Sequence, residues 1–275
     1  MPDQFPALEP GQRRICRYGW KPDLPDQRDF SYAVPHATAA VALPAKVDLR
    51  PGCPPVYDQL QLGSCTANAI AGAVEFDQKK QGLPEFTPSR LFIYYNERVM
   101  EGTSPTVDSG AQIRDGIKSV ASQGVCKESS WTYDDKNTDP APCSTCKFAK
   151  KPSAACYKEA KHYKVKAYQR LNSGVLDTLK GCLASGFPFV FGFTVYESFE
   201  SKQVAQTGIV PMPAPGEKSV GGHAVLAVGY DDSTNQFIVR NSWSAAWGLQ
   251  GYFLMPYPYL TNGQLADDFW TIQTV

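Results

Sequence analysis

Apolar residues recur at helical spacing in the first part of this chain, and beyond about residue 160 they alternate as strands do. A switch of period of this kind leaves few architectures open: helices in one half, an antiparallel sheet in the other, and a cleft between them, an α+β fold. From Ser64, the residues Ala67, Ile70, Ala71 and Val74 line one helical face, which Gly82 and Pro84 bring to a stop. TPSRLFIYYNERVMEG, residues 87–102, opens on Thr87 as a cap with Pro88 in the first turn and closes at Gly102. Ile113, Ile117 and Val120 before Gly124 predict a third helix. Later, YKVKAYQRL alternates, HAVLAVGYDD and QFIVRNSW flank a DSTN turn as hairpin strands do, and GYFLMPY adds another strand. One helix, over about 173–185, interrupts them, and no internal repeat is visible.

The first 42 residues are a different kind of segment. They are rich in proline, and each X-Pro step disfavours helix in the residue before it, so GWKPDLPDQRDF reads as extended. Residues 1–42 are therefore an arm, whose Trp20, Phe30 and Tyr32 are expected to find a surface. Lys and Arg number 27, as do Asp and Glu, so no overall field favours nucleic acid or an anionic membrane. The longest apolar runs, such as FPFVFGFTV, are about half the length of a membrane span. The opening MPDQFPALEPGQRRICRYGW has no apolar stretch of the secretory kind, so the expectation is a protein that stays inside or leaves by an unreadable route.

The search for a base is short because there are three histidines. His36 lies in the arm and His162 in the lysine-rich EAKHYKVK, a solvated setting. His223 instead follows Gly-Gly and begins the apolar strand HAVLAVGY. Asn241 ends the next strand, so in a hairpin its amide can hold one imidazole nitrogen and fix the tautomer, leaving the other for a thiol. Cys65, in QLGSCTANA, stands where a loop of small residues turns into the first helix.

Gln59, SCTANA with Cys65, GHAVLAVGY with His223 and RNSWSAAWG with Asn241 come in the order and contexts of the papain-like cysteine peptidases, which this chain resembles. LPAKVDLR at 43–50 is similar to the start of their mature domain, so the resemblance covers about 43–275, with GWKPDLPDQRDF and PPVYDQ closest to a bacterial branch. It implies a two-lobed fold: a helical lobe over about 43–160, an antiparallel, β-barrel-like lobe over about 161–265, and a C-terminal segment returning to the cleft. It also implies a cysteine endopeptidase in which a Cys65 thiolate and His223 imidazolium form a thioester. Asn241 orients His223, Gln59 and the Cys65 N–H make the oxyanion hole, and Trp243, with Trp247, shields the His223–Asn241 bond. The thiolate gains from the helix N-terminus. In the family's familiar motif, Leu62 and Thr66 are replaced by a cysteine and a tryptophan; neither missing side chain is an acid, base or oxyanion donor.

The same resemblance makes Gly110, in VDSGAQIRDG, the candidate for β-type pairing with a peptide, and puts ADDFWTI near the floor of the main specificity pocket. Asp267 or Asp268 pointing inward would admit arginine besides large apolar side chains; pointing outward, both are solvated charges. Peptides and proteins are the substrates implied, proteinaceous or small-molecule cysteine-protease inhibitors the other partners, with no cofactor and a monomeric state. CSTC at 143–146 has no second close pair to complete a zinc site, so surface thiols or a local disulfide is the reading, and Cys126 with Cys156 could close the insertion as a loop. The arm's aromatic content motivates a prosegment that restrains activity. Other readings left open are a catalytically weak or inactive peptide-binding protein on this fold, and a different Cys-His hydrolase such as an amidase.

Overall fold

The computed structural model of the chain describes residues 18–24, 26–33, 42–135 and 142–274. Cys16, His36 and residues 136–141 of the insertion lie outside the described residues.

Three helices make the first part: α1 (Cys65–Lys80), α2 (Arg90–Met100) and α3 (Ile113–Ser122). Residues 65–78 of α1 are all buried, because α2 and α3 pack on one side of it and the sheet on the other. The alanines and glycine of CTANAIAGAV let neighbours approach on every side, the pattern of a central helix rather than an amphipathic surface one. In α2 the cap is Ser89, whose Oγ accepts from the Phe92 N–H at 3.2 Å, and not Thr87. Thr87 precedes Pro88, which keeps it out of the helical region, so the helix begins two residues later than its sequence suggests. Within the insertion, α4 spans Ala154–Ala160, and α5, Leu176–Ala184, is the helix that interrupts the strands.

Seven antiparallel strands follow this pattern: β1 (Lys46–Asp48), β2 (Ala167–Arg170), β3 (Phe189–Tyr196), β4 (Ser219–Asp231), β5 (Gln236–Arg240), β6 (Tyr252–Pro256) and β7 (Ala266–Thr274). Their order is β2-β7-β3-β4-β5-β6, with β1 paired to the far end of β4. Among the described residues no pairing joins β2 to β6, so the sheet is open, without the closure of a barrel. The β4–β5 hairpin turns at Asp231–Gln236 around DSTN, as its sequence predicts. β3 reads as a nearly unbroken apolar run because both its faces are covered: Val190 joins the core with the helices, while Phe189, Phe191 and Phe193 enter a second, aromatic core. Each such aromatic contributes on the order of 2–3 kcal/mol on burial.

Between Val190↔Trp270 and Gly192↔Asp267 the β3–β7 register gains one residue on β7. That residue is Asp268, at φ 57, a left-handed value uncommon outside glycine. The bulge breaks the in-out alternation, so Asp268 is fully buried while Asp267 stays partly exposed.

The arm joins this frame at two places. Tyr32 N–H donates to Arg170 O and Arg170 N–H to Phe30 O, each at 2.7 Å, extending the sheet beyond β2. Tyr32 is buried and Trp20 packs against the helical core, whereas Phe30 meets Tyr168 edge-on at 6.4 Å and remains 66% exposed. Cys143 and Cys146 form a local disulfide, and both are buried. Cys126 and Cys156, whose pairing the sequence left open, are two buried thiols in mutual contact. His162 is exposed, as its lysine-rich setting predicts.

Candidate active site

Cys65 is the first residue of α1 and fully buried, so its sulfur lies at the positive end of a 16-residue helix. Backbone hydrogen bonds from Ala224, Gly19 and Thr66 converge on it. Ala224 follows His223 on β4, so this strand carries the histidine up to the residue whose backbone meets the sulfur. His223 Nε2 lies 2.9 Å from Asn241 Oδ1, and the same oxygen accepts the Ser242 backbone N–H at 2.8 Å. A backbone N–H can only donate, so this second bond fixes which end of the Asn241 amide is oxygen and makes Nε2 the protonated imidazole nitrogen. Trp243 is stacked on the ring at 5.1 Å and 29°, with Trp247 edge-on behind it at 5.1 Å. Both tryptophans are buried, and they keep water from the His223–Asn241 pair.

Gln59 is fully buried, with its amide held at both ends: Nε2 donates to Leu62 O at 2.9 Å and Oε1 accepts from Ser242 Oγ at 2.6 Å. One N–H of Nε2 is thereby fixed and the other is aimed by the same geometry. Ser242 thus links the loops of Gln59 and Asn241; it stands inside RNSW but was not singled out from sequence. The loop before Cys65 is fastened by two N–H contacts from Gly63 to the Asp108 carboxylate, at 3.0 and 3.1 Å, where Leu62 leaves no disulfide to do so. Asp108 in turn accepts from the Tyr94 hydroxyl, to which the Gly110 N–H donates at 3.1 Å. Thr66 donates to Glu97 Oε1 at 2.7 Å. Burial pushes the Glu97 carboxyl well above its ordinary range.

The arm runs through this site. Ala111 N–H donates to Gly19 O at 2.7 Å, Lys21 N–H to Ala111 O at 3.0 Å and Trp20 N–H to Gly222 O at 2.9 Å. The arm therefore pairs on Ala111, in parallel sense. Gly110, at φ 68, supplies clearance: a Cβ there would meet Gly19 O at 2.1 Å. The Trp20 indole lies on Gly192, where a Cβ would fall 1.9 Å from the ring, and its Nε1–H donates to Asp268 Oδ2 at 3.0 Å. Of the two aspartates, then, Asp268 is buried under the Trp20 indole, and Asp267 stays partly exposed, 3.5 Å from Arg170.

Asp268 is one node of a buried charge cluster that anchors the arm. Its Oδ2 also accepts the Asp23 N–H at 2.8 Å, and its Oδ1 accepts from Arg170 at 3.1 Å. Asp23 accepts from Trp270 Nε1 at 3.0 Å and from the Arg114 N–H at 3.2 Å. Asp29 is paired with Arg114 at 2.6 Å and Arg170 at 3.3 Å. Burial, with the Asp268 charge second, pushes Asp23 up to about 7, and burial raises Asp268 as well.

A thiol at a helix N-terminus, an imidazole oriented by an amide and a buried glutamine donor, set between helices and an antiparallel sheet, define a thiol hydrolase of the papain type. Residues 43–266 match the family model described as papain family cysteine protease, and the chain belongs to that family. It is 50% identical to xylellain, a cysteine protease from Xylella fastidiosa, whose crystal structure superposes with a TM-score of 0.88 over 96% of this chain and 98% of that one. An uncharacterized peptidase C1-like protein of Acanthamoeba polyphaga mimivirus is 50% identical over 79% of this chain and 69% of its own. A procathepsin B from Trypanosoma congolense, 19% identical, shares the fold with a TM-score of 0.71 over 94% of this chain and 85% of that one.

Proposed function

We propose that this protease cleaves internal peptide bonds with Cys65 as nucleophile and His223 as acid and base, and that residues 18–33 restrain it. The observation that carries the reading is the Cys65 sulfur at the head of α1, in backbone contact with Ala224, next in the chain to a His223 held by Asn241 at 2.9 Å. With Nε2 on Asn241, proton transfer falls to Nδ1. The thiolate attacks the peptide carbonyl, Gln59 and the Cys65 N–H take the developing oxyanion, and His223 protonates the departing amine. Water, deprotonated by His223, then hydrolyses the thioester. A thiol-reactive epoxide peptide tests the assignment: labelling is expected on Cys65 and lost in Cys65→Ala, and labelling of another cysteine would overturn it.

The arm supports restraint by chemistry as well as by position. Desolvation pushes the Cys65 thiol up to about 12 despite its three N–H donors, so the closed form holds a neutral thiol. Gly19 turns its N–H toward the sulfur while its carbonyl is held by the Ala111 N–H, so backbone contacts on both sides seat the arm over the nucleophile.

Docking is expected to weaken as pH rises. A carboxyl whose docked pKa is raised favours the docked state fully below its ordinary value near 4, and that advantage is lost as pH climbs through about 7. Arg114 and Arg170 temper the effect without reversing the direction. Labelling of Cys65 in full-length protein is therefore expected to quicken by at least about tenfold between pH 5 and 8 beyond the thiol's own titration. The control is Asp23→Asn, which should flatten that excess.

With the arm displaced, Asp268 is the acid for an arginine in the main pocket. Asp268→Asn is expected to slow Arg-Arg peptide substrates by about tenfold or more relative to Phe-Arg ones, and Asp267→Ala to leave the ratio unchanged. An unmoved ratio in Asp268→Asn would remove this role.

A further inference from the structure

Tyr18 and Trp20 leave Gly19 in opposite directions, so together they are a cast of both sides of the cleft. Trp20 turns toward Asp268. Tyr18 turns toward His223, its ring edge-on at 5.9 Å and tilted against Trp243 at 6.4 Å, and its hydroxyl donates to Glu200 Oε1 at 2.6 Å. Glu200 closes the 3-10 turn Glu197–Glu200 that follows β3. Its neighbour Phe199 is fully buried, edge-on to Phe193 and Trp243 at 5.2 and 5.5 Å, so the core and not a loose loop sets where Glu200 stands. Glu217, which reaches the same turn, has its carboxylate on the Ser198 and Ala214 N–H groups.

His223 must hand its proton to the amine that departs, so the residue carrying that amine lies beside the imidazole. That is the side Tyr18 occupies. We infer that Glu200 is a specificity-determining residue for the leaving side: it selects a cation or hydroxyl donor, arginine, lysine or tyrosine, directly after the scissile bond. The half-buried carboxylate offers a charged acceptor beside an aromatic wall, which suits a side chain with an apolar stem and a donating tip. This inference rests on the peptidase reading above, and it concerns a residue that no sequence motif marked.

The test uses the full chain with Tyr18→Ala and Trp20→Ala, which empty both sides of the cast without touching the protease part. Four internally quenched peptides differ in the residue after the scissile bond: Arg, Tyr, Ala or Glu. Arg over Glu is expected to be favoured by at least about tenfold in kcat/KM, the ratio falling below about threefold with Glu200→Gln and inverting with Glu200→Lys. A ratio unchanged in both variants overturns the inference. The same four peptides bound to the chain carrying Cys65→Ala, followed by fluorescence anisotropy, give the comparison without turnover. A chain that cleaves none of them counts against the peptidase reading, while the binding ratio still decides the role of Glu200.

Discussion

Trp20→Ala in the full-length chain is expected to raise kcat/KM on a small peptide substrate by about two orders of magnitude. The indole rests on Gly192 and donates to the buried Asp268 carboxylate, so its loss removes both the packing and the hydrogen bond that hold the arm across the sulfur. Truncating a fully buried tryptophan costs about 3–5 kcal/mol, so the partly buried Trp20 is expected to lose about 3 kcal/mol, and each 1.4 kcal/mol is tenfold in the closed-to-open ratio. The Asp29–Arg114 pair and the Tyr32–Arg170 pairing remain, so the arm loosens at its active-site end without leaving the molecule. Leu24→Ala, at a side chain 72% exposed in the same arm, is the control and should change nothing. A Trp20→Ala enzyme no faster than the unaltered one would end the case for restraint.

Cys65→Ser and His223→Ala are each expected to lower kcat by at least about 10⁴-fold, and the double variant to be no slower than the worse single. Non-additivity is the informative part. Two groups that act as one unit lose their joint effect when either goes, whereas two independent contributions would multiply. Single-turnover kinetics on the Trp20→Ala background would separate this from slow opening, and multiplicative losses would mean that Cys65 and His223 do not form a pair.

Much of the fold was legible because period carries it. The helices over 65–80 and 113–122 and the β4–β5 hairpin follow from spacing and turn residues, and the Cys65, His223 and Asn241 contexts are local enough to read in a single chain. What stayed hidden depends on partners far away in sequence. Neither aspartate of ADDFWTI could be given a direction, because one extra residue in β7 resets the alternation just there. Thr66 reads as a missing aromatic, and only the arrival of Glu97 from α2 shows how a hydroxyl fills the place. Ser242 gained its meaning from Gln59, 183 residues earlier in the chain. Glu200 had no reading until an arm residue donated to it.

The parallel pairing of Gly19–Lys21 with Ala111 has a consequence for how this protein responds to its surroundings. Under the restraint proposed above, an occupant on the same chain as its site has a local concentration set by the tether, in the millimolar range for a short flexible one, and dilution cannot lower it. A visiting peptide must win by supplying contacts the arm lacks, and because the arm stays tethered, it can close again once that peptide has gone. The cleft would then behave as a threshold device: silent toward scarce or poorly matched chains, and open in proportion to abundant, well-matched ones.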